Sequence, residues 1–178
     1  ITFAVRARFV LLRDLGSALS PTNAFNFIQG LETLPIRFSK HQENAEKVAK
    51  YLTSKKNVNR VIHPKYQHDI YKKRAEKYLE DGLGPLVGFE LDGGIEAGKN
   101  FINNLELIYH VANIGDARTL AIHPASTTHS QLNTEDQLRA GVTPGYVRLS
   151  VGIEHIDDII NDIDQAINKA QDKVKNVA

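Results

Sequence analysis

Residues 146–151 read Tyr146-Val147-Arg148-Leu149-Ser150-Val151. Successive side chains of a strand point to opposite faces, so this run sends Val147, Leu149 and Val151 one way and Tyr146, Arg148 and Ser150 the other. The apolar side predicts a face packed on a core. The other side holds an arginine between apolar neighbours, which needs an acceptor if it is buried. A carboxylate is its best partner, because the guanidinium fork donates two parallel hydrogen bonds to the two oxygens. The residues alone leave open the plainer alternative, that this face meets water.

Three further β-rich runs, each bounded by Gly, Pro or Asn, lie upstream: Val58 to Ile62, Leu86 to Leu91 and Arg118 to Ile122. Helical patterns separate them. Ile70 to Glu80 is charged. Glu96 to Val111 carries Phe101, Ile102, Leu105 and Ile108 on one stripe. A last helix buries Ile156, Ile159, Ile160, Ile163 and Ile167, with Asp157 and Asp158 at its start and Lys169, Lys173 and Lys175 near its end, which complements the helix dipole. Strands alternating with helices predict an α/β domain over residues 56–178.

Before it, Ser39 and Gln42 have capping-box spacing and predict the start of an amphipathic helix, a connecting element over residues 39–55 that carries Ala45, Val48, Ala49 and Leu52. Residues 1–38 read as two short helices, Phe9 to Leu19 and Asn23 to Leu34, apolar nearly all round and so expected to bury most of their surface. They have no strand partner and read as the trailing edge of a larger domain. Alone they predict an exposed patch and self-association. The chain begins at Ile1 and has no methionine among its 178 residues, so a segment upstream is expected.

The 22 Lys and Arg nearly balance 21 Asp and Glu, which leaves no basic footprint for nucleic acid or an acidic membrane. Cysteine is absent, which excludes disulfides, zinc thiolates and a cysteine nucleophile from these residues. No apolar run approaches a membrane span, and the first residues form neither a signal nor a transit peptide.

Two loops stand out. Asn113-Ile114-Gly115-Asp116, expected directly after a helix and before a strand, has turn chemistry, and an ordinary turn explains it on its own. His123-Pro124-Ala125-Ser126-Thr127-Thr128-His129 could line a polar pocket. Its two histidines have no nearby carboxylate or cysteine, so no metal site is expected, and His63 and His68 face the same objection. Gly82-Leu83-Gly84-Pro85-Leu86-Val87 fails the dinucleotide fingerprint at its sixth position. Spacing alone therefore yields an α/β domain with an arginine of open role.

Taken together, Asn113 to Leu120, His123 to His129 and Arg148-Leu149-Ser150-Val151-Gly152-Ile153-Glu154 resemble the C-terminal signature of the Cys/Met-metabolism pyridoxal-phosphate enzymes. The opening agrees, with Arg13-Asp14-Leu15-Gly16, Ser20-Pro21, Gln29 to Leu34, Arg37, His41 and Asn44, as does Gly82-Leu83-Gly84 leading into Phe89-Glu90-Leu91. Asn113 before Gly115-Asp116 and the full His123 to His129 string look like the sulfhydrylase branch, and the first eight residues are similar to fungal O-acetylhomoserine sulfhydrylases (homocysteine synthases).

The resemblance implies the C-terminal small domain of a fold-type I enzyme, a mostly antiparallel sheet with helices on one side, preceded over residues 1–38 by helices from the end of a large cofactor-binding domain. It implies a cytoplasmic homotetramer of methionine and cysteine biosynthesis. Its cofactor is pyridoxal 5'-phosphate, held by a lysine and acting as an electron sink. The resemblance implies a reaction in which acetate leaves the γ-carbon of O-acetylhomoserine and sulfide replaces it to give homocysteine. A cystathionine γ-synthase, a methionine or cystathionine γ-lyase, and a non-catalytic interaction domain are the alternatives.

Arg148 matches the family's clamp on the substrate carboxylate, Asn113 and Ile114 match the loop bordering it, and Thr128 is a further pocket candidate. The family's Ser-x-Thr-Lys string is missing, and Lys55 and Lys56 have the wrong neighbours. No catalytic or cofactor-binding residue is therefore expected within these residues.

Overall fold

The computed structural model describes residues 1–175, with side chains through residue 172. Two compact units divide it, residues 1–36 and 37–178.

The first unit is helical. Helix α1 (Thr2–Arg6) runs through a wider π-type stretch (Ala7–Leu12) into α2 (Arg13–Leu15), and Gly16 at φ +85° turns the chain out of it. Helix α3 (Pro21–Glu32) starts behind Ser20, whose hydroxyl accepts from the Asn23 N–H at 3.1 Å, with Pro21 in the first turn where its missing N–H does no harm. The apolar patch expected of these helices on their own is present. None of their residues is buried, and Phe9, Phe25, Phe27 and Leu31 are all about 60% exposed.

In the second unit, a five-stranded sheet has the order β1-β2-β5-β4-β3. Its strands are β1 (Val58–Ile62), β2 (Leu86–Leu91), β3 (Tyr109–His110), β4 (Leu120–Ile122) and β5 (Tyr146–Ser150). All neighbours are antiparallel except β3 and β4. The alternation in β5 holds: Val147, Leu149 and Val151 are fully buried. They share one core with Val87, Phe89 and Leu91 of β2 and with helices α4 (Leu34–Thr53), α6 (Gly94–Asn103) and α8 (Ile156–Lys175). Phe89 and Phe101 meet edge to face, centroids 5.4 Å apart. Tyr51 and Lys55 both reach Asp164 of α8, at 2.5 and 2.6 Å, and these partners hold the Asp164 carboxyl below its ordinary pKa.

Several boundaries differ from expectation, each for a local reason. Helix α4 begins at Leu34, five residues before Ser39, because a proline in the first turn of a helix fits there. Gln42 is therefore not a capping residue. Its side chain reaches out to the 81–84 loop, donating to the Asp81 carbonyl at 3.4 Å and accepting from the Gly84 N–H at 3.2 Å.

Helix α6 stops at Asn103, short of Val111, because Asp162 of α8 accepts the N–H groups of Glu106, Leu107 and Ile108, each at 2.9 Å. Leu105 and Ile108 consequently pack from a loop, and β3 follows them. Strand β4 starts at Leu120, since the Arg118 N–H goes to Asp116 Oδ1 and the Thr119 N–H to Glu154 Oε1. In α8, Ile159, Ile163 and Ile167 are buried and Lys169 pairs with Glu106 at 3.1 Å, while the Lys173 and Lys175 side chains lie outside those described.

The chain leaving β5 is tied on two sides. His41 donates through Nδ1 to the Val151 carbonyl at 2.6 Å, and Asn44 Nδ2 donates to the carbonyls of Gly152 and Glu154 at 3.0 and 2.9 Å. Thr119 Oγ1 donates to Glu154 Oε2 at 2.8 Å and accepts from the Gly152 N–H at 2.9 Å. A β-carbon on Gly152 would overlap the Ala117 carbonyl and the Glu154 carboxylate. Replacing it with alanine should therefore destabilise the fold by at least about 2 kcal/mol, since backbone cannot move aside cheaply. Urea unfolding of the Gly152→Ala variant measures this; an unchanged midpoint contradicts it.

Candidate substrate-carboxylate site

The face of the sheet away from the core carries the candidate site. Its rows follow from the register: Ile62, Gly88 and Arg148 are aligned across β1, β2 and β5, and Arg60, Glu90 and Tyr146 form the next row. Gly88 is required at its place, because a β-carbon there would come within 2.7 Å of the Tyr146 ring. Over these rows lies an open cavity of about 680 Å³. Arg60, Ile62, Gly88, Tyr146 and Arg148 form its floor, and helix α5 (Asp69–Tyr78) contributes Tyr71, Arg74 and Tyr78 to its wall.

Arg148 is half-buried. One guanidinium N–H donates to the Asn113 carbonyl at 3.3 Å, and its Nε is buried with no partner. An arginine has five donors in a fixed fork, so most of this one is unspent. Burial raises the pKa of the Tyr146 hydroxyl beside it, with the Arg148 charge pulling the other way.

The loop of residues 113–116 is placed by β5. The Gly115 N–H donates to Ser150 Oγ at 3.2 Å, and Gly115 takes φ +82°, a backbone that a side chain would strain. The loop follows β3 rather than a helix, which corrects the expected order. The Asn113 backbone and the Arg148 side chain are thus brought together, and Ile114 stands exposed in the same loop.

Thr128 is exposed, its hydroxyl 2.9 Å from His129 Nδ1, and it does not line the cavity. The polar pocket expected over residues 123–129 does not form, because the side chains satisfy one another and the local backbone. His123 is buried between Ser126 Oγ and the Pro144 carbonyl, each at 2.8 Å, and Thr127 and Ser130 bond nearby carbonyls. Sequence reasoning missed Arg60 and Arg74, which line the cavity from a strand and a helix remote from one another in the chain.

A mostly antiparallel sheet that carries an arginine with a free fork beside a glycine turn, and a helical layer on its opposite face, defines the C-terminal small domain of a fold-type I pyridoxal-phosphate enzyme. The chain belongs to the Cys/Met metabolism PLP-dependent enzyme family, whose model matches residues 3–168. It is 53% identical over 168 residues to an O-acetyl-L-homoserine sulfhydrylase of Leptospira meyeri, covering 94% of this chain and 38% of that protein. It is 44% identical over 170 residues to a homocysteine synthase of Schizosaccharomyces pombe, covering 96% of this chain and 40% of that one.

Among solved structures, a Campylobacter jejuni protein described as an O-acetylhomoserine (thiol)-lyase, which carries an N'-pyridoxyl-lysine-5'-monophosphate residue, superposes with a TM-score of 0.86 at 42% identity. The match covers 94% of this chain and 40% of that one. The chain thus spans about two fifths of the length of the relatives it matches. Its family is pyridoxal-phosphate-dependent. The amine of Lys55 is engaged by Asp164 and lies over the Tyr51 ring. Among the described residues no helix is long and apolar enough to cross a membrane.

Two buried histidines make the domain sensitive to acid. Burial lowers the pKa of His123, with the Pro144 carbonyl opposing, and burial likewise lowers that of His63. The neutral form of each is the folded one, so the unfolded chain takes up protons first as pH falls. Their contribution is complete above about pH 6.5 and is lost on acidification towards the folded values. The thermal midpoint should fall between about pH 7.5 and 5.5, and a midpoint that rises over this window contradicts the reading.

Proposed function

We propose that this chain supplies the substrate-carboxylate half of an O-acetylhomoserine sulfhydrylase, an enzyme that exchanges acetate for sulfide to make homocysteine. The single observation behind this reading is the half-buried guanidinium of Arg148, whose Nε has no partner while a neighbouring N–H is steadied by the Asn113 carbonyl. Leaving a buried donor unsatisfied costs about 1–3 kcal/mol, an expense that a bound carboxylate repays. Pyridoxal phosphate, when bound to the rest of the enzyme, supplies the electron sink.

The work of these residues is positional. Arg148 takes the α-carboxylate on its free edge, the 113–116 loop borders that end of the substrate through Asn113 and Ile114, and Tyr146 screens the pair from water. Holding one end of an amino acid fixes which bond faces the cofactor, which is a gain in orientation rather than in chemistry. Residues 1–38 serve as trailing helices of the cofactor-binding domain, residues 39–55 as the connecting helix and residues 56–178 as the small domain. The exposed apolar side chains of residues 1–36 support that reading. Thr128 plays a lesser part at most, since it is exposed away from the cavity lining.

In the complete enzyme, Arg148→Gln should raise the KM for O-acetylhomoserine about 10- to 100-fold, the worth of a charged hydrogen bond pair, and leave the sulfide dependence nearly unchanged. Steady-state kinetics with each substrate varied in turn check this, and an unaltered KM for O-acetylhomoserine ends the clamp assignment. The 178-residue chain alone, mixed with pyridoxal phosphate, should show only the absorbance of the free cofactor. A new band would mean that an anchoring lysine exists here after all.

A further inference from the structure

The Arg148 cavity is more cationic than one carboxylate needs. Arg60 and Arg74 join Arg148 in its lining, which includes no aspartate or glutamate. Ion pairs among the described residues engage Arg13, His155 and six lysines, but none of these three arginines. Glu90 stands opposite Arg60 in the sheet, yet it lies outside the cavity lining and makes no ion pair with Arg60. Arg74 rests 5.9 Å from the Tyr71 ring centroid, a contact that holds its guanidinium at the cavity wall without neutralising it. The His63 side chain is buried, its Nδ1 receives the Lys65 N–H at 3.3 Å, and its Nε2 has no partner.

The separation is informative. Arg60 and Arg148 sit on β1 and β5, two strand spacings and two residues apart, which puts their Cα atoms about 12 Å from each other. In the cavity lining between them stand Ile62 and the Tyr146 ring, which lies over Gly88. The Arg148 guanidinium is held at the Asn113 carbonyl, and a short chain with an acid at each end can meet it and Arg60 together.

The geometry points to a second anion subsite at the outer end of this cavity, formed by Arg60 and Arg74, which makes the cavity a receptor for short dicarboxylates. The inference rests on the reading of Arg148 as a carboxylate clamp and extends it. Such a ligand lays its methylene chain over Ile62 and the Tyr146 ring, and because one end occupies Arg148 it competes with the amino-acid substrate.

Ligand-observed NMR titration of the 178-residue chain, a method that tolerates self-association, tests this with adipate against butyrate as the single-acid control. Adipate should bind at least about tenfold more tightly, the worth of a second charged contact. The double variant Arg60→Gln/Arg74→Gln, in which both changed side chains are exposed, should bring adipate down to the butyrate level and leave butyrate unmoved. Equal affinities in the unaltered chain, or an unchanged adipate affinity in the double variant, overturn the subsite. Arg148→Gln should weaken both ligands. If it weakens neither while the double variant still weakens adipate, the clamp falls and the outer subsite stands.

Discussion

The structure of this site depends on a knot of hydrogen bonds just beyond strand β5. Glu154 folds back to take the Thr119 hydroxyl, Thr119 takes the Gly152 N–H, and His41 and Asn44 of α4 hold the carbonyls of residues 151, 152 and 154. Every one of these bonds spans at least 33 residues of sequence. They fix the strand carrying Arg148 to the segment leading out of the 113–116 loop, and they leave no room for a β-carbon at Gly152. Loosen the knot, and the Asn113 carbonyl is no longer held against the guanidinium.

The cavity face then follows from a conflict between stability and recognition. On the core face, β5 and the residue after it contribute three fully buried aliphatic side chains, which is what a stable sheet needs. On the other face, one row away, the same strand exposes a guanidinium to a cavity and leaves its Nε unsatisfied. Gly88 gives up its own packing so that the Tyr146 ring can lie across the neighbouring strand. Departures of this kind from the best local choice concentrate at functional sites.

The sequence disclosed the parts of the fold that depend on periodicity. The alternation in Tyr146 to Val151 and the isoleucine stripe of α8 were readable because each residue's burial follows from its neighbours in the chain. The end of α6 was not. The apolar stripe continues through Leu105 and Ile108, and only Asp162, more than 50 residues on, takes the N–H groups that would have extended the helix. Tyr109–His110 is too short for a strand signal. At the site, Arg148 announced itself by its setting in a strand, while Arg60 and Arg74 look like ordinary surface charges until the register of β1 and the course of α5 bring them to one cavity. The histidine and hydroxyl string of residues 123–129 misled for the converse reason: a polar sequence can spend all its polarity on itself.

The sheet's two borders are unlike in length but alike in effect. Strand β3 is two residues long and pairs in parallel with β4, so it presents almost no open ladder. Strand β1 carries a register shift between Val58 and Arg60 that breaks the regular spacing of its outer groups. A neighbouring molecule arriving edge-on finds no straight template at either border on which to add a strand. Growth into ribbons is therefore discouraged, and the domain can work beside other copies at high concentration without zipping to them.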